Sequence, residues 1–203
     1  MFHLTPNQSP YRRINTRIDV YLPKNNYDDI KFVNATGDIN FELNIETNNL
    51  DIELSTGEIN LKNINVINNA SIKSSTGKIK IKDLKIDNDL FLKSSTGDIL
   101  AENTNCNNLT IISTTGEVDL NNSLVNNHLK INTTTGDIEL YNFDANTINI
   151  TTTTGSVEGN ILSNKRFITS TRTGDIEVPK YSDGPLCEIT TTTGDIEIEI
   201  GRK

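Results

Sequence analysis

The sequence predicts an all-β fold: a single-stack parallel β-solenoid, or β-helix, of about nine rungs. Three observations predict it. A short motif returns nine times, as ATGD, STGE, STGK, STGD, TTGE, TTGD, TTGS, RTGD and TTGD. Its glycines, Gly37, Gly57, Gly77, Gly97, Gly116, Gly136, Gly155, Gly174 and Gly194, stand 19 or 20 residues apart throughout. Apolar and polar residues alternate on both sides of each glycine, which is the period of a strand with one buried face. Asn and β-branched residues dominate, and no 3.6-residue stripe argues for helix.

Each rung can be built outward from its glycine. Aliphatic residues recur seven before it (Leu50, Leu90, Ile148), five before it (Ile52, Ile111, Ile189), two after it (Ile59, Ile138, Ile196) and four after it (Leu61, Leu140, Ile198). The parity changes across the glycine, so two strands meet there at a corner. Glycine suits that bend because it adopts positive φ without steric cost. Counting inward positions as −7, −5, −3, −1, +2 and +4 places Thr36, Thr56, Thr76, Thr96, Thr115, Thr135, Thr154, Thr173 and Thr193 inside. These nine threonines are expected to form one buried column bonded to backbone at the bend. The rest of each period, in segments such as KNINVINN, KDLKIDND, ENTNCNN and YNFDANT, reads as a return with a short third strand or turn. Ile64, Leu84, Leu124 and Phe143 are its candidate core residues, and Asn and Asp supply the turns.

Residues 1–16 form an N-terminal lead-in and residues 17–203 the repeat domain. Nine rungs at about 4.8 Å each make a rod of roughly 40–45 Å. Right-handed coiling is expected from the general hand of parallel crossovers. Cys106 and Cys187 lie about four repeats apart, roughly 19 Å, too far for a disulfide. Cys187 takes an inward place held elsewhere by Leu, Ile, Phe or Ala, and reads as a small buried hydrophobe.

Composition excludes several function classes. The net charge of −8 argues against nucleic acid as a partner, because phosphate needs clustered Lys and Arg. No run approaches 18 apolar residues, so no membrane-spanning helix is expected. The N-terminus, MFHLTPNQSPYRR, has no apolar stretch after its charges and does not read as a signal peptide, which points to the cytoplasm. His3 and His128 are not paired by any motif, no nucleophile–base constellation is present, and the even spacing leaves no inserted loop to build a cleft. The reading is therefore not an enzyme.

One face offers a site. Acids recur one and three residues after the glycine, and in later rungs they form two adjacent ladders. Glu117, Asp119, Asp137 and Glu139 bring two carboxylates from each of two neighbouring rungs together with no lysine between. Like charges about 4.8 Å apart repel, and a hard cation such as Ca²⁺ can relieve that with carboxylate oxygens. A solvated face that keeps the rod soluble is the competing reading. Apart from a weakly held Ca²⁺, no cofactor is expected. In earlier rungs Lys78, Lys80 and Lys82 interrupt the ladders and should pair with Glu58 and Asp98. The last strand, Asp195–Ile200, should be a free edge open to self-association, blunted by Glu197, Glu199 and the basic tail.

The TGDI corner, the feeding strand L-x-I-x-S/T-S/T-T and the entry segment RIDVYLPKNNYDDIKF together resemble a bacterial family of adhesin-like cell-envelope proteins of unknown function. The resemblance runs from about Arg17 to Ile200. It implies a β-solenoid and a place at or near the cell envelope, and it carries no catalytic residues. The expectation is a non-enzymatic binding or scaffold surface for an unidentified protein or envelope partner. A calcium- or carbohydrate-binding solenoid is the alternative, and a polysaccharide-lyase-like enzyme stands behind both.

Overall fold

The computed structural model describes Leu22, residues 26–180 and residues 183–201, so the lead-in over 1–16 lies outside the described residues. Strands follow one another with little between them: β1 (Asn26–Thr36), β2 (Ile39–Thr56), β3 (Ile59–Thr76), β4 (Ile79–Ile86) and β5 (Asp89–Thr96). Then come β6 (Ile99–Glu102), β7 (Asn105–Thr115), β8 (Val118–Asn121), β9 (Leu124–Thr135) and β10 (Ile138–Thr151). The chain closes with β11 (Val157–Ile161), β12 (Arg166–Ser170), β13 (Ile176–Glu177), β14 (Leu186–Thr190) and β15 (Ile196–Ile200). All fifteen belong to one sheet wound on itself as a parallel β-solenoid. Nine corner layers enclose about eight full turns.

Each turn has three sides. The pairing of β3 with its successors is representative. Ile59–Lys62 lies on 79–82 for the first side, Ile64–Val66 on 84–86 for the second, and Ala70–Ser74 on 90–94 for the third. The first corner is the glycine. At Gly77, φ is +129° and an added Cβ would sit 2.0 Å from the carbonyl oxygen of Gly57 below. Both the backbone angle and the close approach of the next layer therefore demand glycine. The second corner uses Asn63, Asp83, Asn103, Asn122 and Asn142, all at φ between +48° and +57°. Asn and Asp visit this left-handed region at least cost among side-chain-bearing residues. Their side chains also stack: Asn103 Nδ2 donates to Asp83 Oδ1 at 2.8 Å, and Asn142 Nδ2 to Asn122 Oδ1 at 3.0 Å.

The expected threonine column is corrected. Every described threonine that precedes a corner glycine is exposed. Positions −2 to +1 all belong to the bend and point outward, so the last inward place before it is −3. That place holds Leu54, Ser74, Ser94, Ser113, Thr133, Thr152 and Thr191, all buried. Ser94 Oγ donates to the carbonyl oxygen of Gly97 at 3.0 Å, so in this rung the hydroxyl-to-corner bond exists two residues earlier in the chain than expected, whereas the hydroxyls of Ser74, Ser113, Thr133 and Thr152 are buried without a partner. Leu124 also differs: it is 47% exposed, and Ser123 turns inward instead. Ser123 Oγ donates to the Asn121 carbonyl at 2.8 Å and accepts the Thr104 amide at 3.0 Å, which satisfies its burial. Cys106 and Cys187 are buried and unpaired, and burial pushes both thiols up to about 12.

The largest departure is at the C-terminal end. On the third side the layers run β1, β2, β3, β5, β7, β9, β10, β14, β12. On the first side β15 likewise lies between β11 and β13. The ninth repeat is thus inserted between the seventh and the eighth, and the corner follows suit, with Thr193 paired to both Thr154 and Thr173. The expected free edge over Asp195–Ile200 is covered at Ile196 and Glu197, while Ile198–Ile200 pairs with β11 alone. Ile196 has Val157 on one side and Ile176 on the other.

Hydrophobic burial accounts for the order. The ninth repeat points Cys187, Ile189, Ile196 and Ile198 inward, each 2% exposed or less. The eighth has Thr169 where most rungs carry an aliphatic residue, and its first side is cut short by Pro179, which has no amide to donate. Covering the more apolar repeat on both sides, and leaving the poorer one at the end, removes more apolar surface from water. Because every pairing stays parallel while the layer index steps back by one, the last turn coils with the hand opposite to that of the turns before it.

Candidate functional site

The first side carries the charged columns, and they change character along the rod. In the early rungs lysines interrupt the acids and pair with them between layers. Lys62 Nζ lies 2.6 Å from Glu42 and Lys80 Nζ 3.2 Å from Glu58. Lys78 Nζ lies 2.6 Å from Asp98 and Lys82 Nζ 2.8 Å from Glu102. The hydrogen bond from Lys78 holds the Asp98 carboxyl below its ordinary value, against a smaller opposing effect of burial. The expected pairing of Lys78 and Lys80 with Asp98 and Glu58 is what the structure shows, and Lys82 adds Glu102.

From the fifth corner onward the columns are acidic. Three residues after the glycine, Asp119, Glu139, Glu158, Glu197 and Glu177 follow one another in adjacent layers. Asp119 is the perturbed member. Burial, then Glu139, Glu117 and Asp98, push its carboxyl up to about 6, and its Oδ1 is buried without a hydrogen-bond partner. The structure sets Asp119 directly beside Glu139 in register, as expected.

Of the two other expected site residues, Glu117 acts on the Asp119 carboxyl, while Asp137 does different work. Asp137 Oδ1 accepts the Ser156 amide of the next layer at 2.8 Å. Asp38 does the same for the Glu58 amide at 2.9 Å, Asp98 for Glu117 at 3.2 Å, and Asp195 for Asp175 at 2.8 Å. At every bend but that of Gly174 the Gly and +2 amides reach neighbouring carbonyls, while the +1 amide has no carbonyl opposite it. The aspartate of the TGD motif closes that gap with a charged acceptor. Asp137 is therefore a corner residue first, and the less committed charge belongs to Asp119, Glu139 and Glu158. Among the described residues no three carboxylate, His or Cys side chains stand together with the geometry of a metal centre.

Sequence reasoning missed one cluster. Lys165 is 1% exposed, and its Nζ donates to Asp144 Oδ1 at 2.7 Å and to Ser163 Oγ at 2.5 Å. Ser163 Oγ donates in turn to Asp144 at 3.0 Å. The cluster lies where the chain leaves the seventh repeat: a Cβ on Gly184 would meet the Asn164 carbonyl oxygen at 2.6 Å, and the Arg166 amide bonds to Pro185 O at 3.0 Å. A lysine in a return segment that elsewhere turns Val66, Ile86 or Val125 inward was the available signal.

An open groove of about 550 Å³ follows the first side of the early rungs, lined by Asn40, Asn60, Lys80 and Leu100 among others. Its walls are amides, ion-paired lysines and short aliphatic stretches. The Toastrack DUF4097 family model matches residues 1–199. Comparison with curated proteins and with solved structures gives no match.

Proposed function

Since this chain belongs to the Toastrack DUF4097 family, whose function is unknown, we propose that it is a non-enzymatic, adhesin-like binding or scaffold surface at or near a bacterial cell envelope. One observation carries the reading. The first side is a ruled surface on which side chains repeat every layer, with an ion-paired half followed by an acidic half running from Asp119 to Glu177. Such a surface suits an extended, repetitive partner that matches the layer spacing, and the acidic half selects for positive charge. The test is sedimentation of the purified chain with bacterial cell-wall preparations at low and moderate salt. Binding that weakens with salt and is lost in a Glu139→Gln, Glu158→Gln, Glu197→Gln variant supports the proposal. Failure of the native chain to sediment at either salt concentration overturns it.

Calcium binding is the second reading, favoured by Asp119. A carboxyl raised to about 6, with one buried oxygen unpartnered, is relieved by a cation shared with Glu139. We place any such site at Asp119 and Glu139, with Glu117 and Asp137 at its margin, and expect it to be weak. Calorimetry and melting with and without millimolar Ca²⁺ test it; no heat and no shift in Tm removes it.

A further inference from the structure

The inserted repeat occupies a slot that its own chain cannot fill until the sequence has moved past both walls. β14 and β15 lie between layers that precede them in the chain. Ile189 has Ile150 on one side and Thr169 on the other, and Ile198 packs beside Gly159. Polar contacts cross the slot as well. Thr191 Oγ1 donates to the Gly155 carbonyl at 3.1 Å, and Thr171 Oγ1 donates to the Gly194 carbonyl at 3.0 Å. Asn149 Nδ2 donates to Glu188 Oε2 at 3.0 Å.

None of these contacts involves the connection between Val178 and Pro185, which carries two prolines. The slot thus recognises residues 186–201 and is indifferent to which chain supplies them. In a solenoid stacked in sequence order, each layer can form on its predecessor. Here, whenever the eighth repeat holds its place before the last repeat has docked, the layer between the seventh and the eighth is missing. In that state a second copy's last repeat competes with the tethered one on equal terms of register, pairing and burial.

We propose that the slot between the seventh and eighth repeats is an intermolecular binding site, and that its partner is the last repeat of a second copy of this chain, giving a strand-exchanged dimer. Every layer contact of the monomer is kept in the exchanged form, so the balance rests on the effective concentration of the tethered repeat against that of other copies. Prolines at both ends of the connection limit how tightly it can fold back, which works against self-filling.

The test uses the full chain with Asn149→Cys and Glu188→Cys, which lie opposite each other on adjoining layers and face outward. The native thiols are buried and stay out of the oxidation. The variant is unfolded, refolded at micromolar concentration and at roughly a hundred-fold higher concentration, nearer the millimolar value of a short tether, then oxidised. The expected result is a disulfide-linked dimer, its share rising several-fold with concentration and vanishing on reduction. A second variant lacking residues 180–182 should show a larger dimer share at every concentration, because a shortened connection hinders self-filling. Intrachain bridges alone at all concentrations in the full-length variant overturn the proposal. So do dimers seen by light scattering that never carry the interchain bridge, which would mean stacking on the exposed eighth repeat instead.

Discussion

Ile59 and Ile176 hold the same place in their repeats, two residues after a corner glycine. The first is fully buried and the second is 44% exposed. The difference separates two regions of the rod. From the second to the sixth repeat, sequence order equals stacking order and each apolar residue has a neighbour above and below, and up to the fourth repeat charges on the first side are paired between layers. Over the last three repeats the order is seven, nine, eight, the first side is acidic, and the end layer is held from one side alone. A repeat motif therefore specifies the shape of a layer, while its place in the stack follows from how much apolar surface it has to cover.

The corner offers the largest test of that contrast. Gly136→Ala puts a Cβ 2.0 Å from the Gly116 carbonyl at a φ of +139°, so we expect a loss of about 3–5 kcal/mol in urea denaturation. Gly37→Ala, at φ +110° with its nearest neighbour Asn34 Nδ2 at 3.9 Å, incurs backbone strain alone and should lose about 1–2 kcal/mol. Equal losses would mean that interlayer approach does not matter at the bend.

Next in size is a comparison across the exchange. Ile196→Ala removes a fully buried side chain flanked on both sides and should cost about 3 kcal/mol. Ile176→Ala should cost about 1 kcal/mol, because much of that side chain is already in water. In a stack that followed sequence order the ranking would reverse.

Most of the layer was legible in the sequence. Positions −7, −5, +2 and +4 were read correctly because alternation with a period of two has one physical meaning when one face is buried. The bend was misjudged by two residues, since alternation stops within a corner and says nothing about where it resumes. Thr135 shows this: its invariant position suggested burial, yet it is exposed. The stacking order was illegible from spacing, because the step from Gly174 to Gly194 is 20 residues like the others. The signals that did exist were compositional: Thr169 at an inward place, and Pro179 and Pro185 in a return that elsewhere holds a strand. For the acidic site, adjacency of Asp119 and Glu139 was readable, but the role of Asp137 at the Ser156 amide needed the path of the backbone.

Smaller effects sharpen the electrostatic half of the comparison. Asp119 titrates at about 6 in the folded chain against an ordinary 3.8, so between those values the folded state binds more protons than the unfolded state. Stability should therefore fall as pH rises from about 4 to about 6, and Asp119→Asn should flatten that slope. Solvent screening keeps the change below about 1 kcal/mol, readable as a Tm difference between the two chains across that window. Thr135→Val should be smaller still, within about 0.5 kcal/mol by the same melting measurement, because its hydroxyl is at the surface.

Native-state hydrogen exchange, resolved by residue, tests the inserted order most directly. The Ile196 amide bonds to the Asp175 carbonyl at 2.9 Å, and that of Val157 to Asp195 at 2.8 Å, so the ninth repeat is bonded into the stack on both sides. The account predicts that amides of Ile196–Ile198 and Leu186–Thr190 exchange among the slowest in the C-terminal third, and those of Arg166–Ser170 and Ile176–Glu177 many-fold faster. Fast exchange across Ile196–Ile198 together with strong protection of Arg166–Ser170 would contradict it.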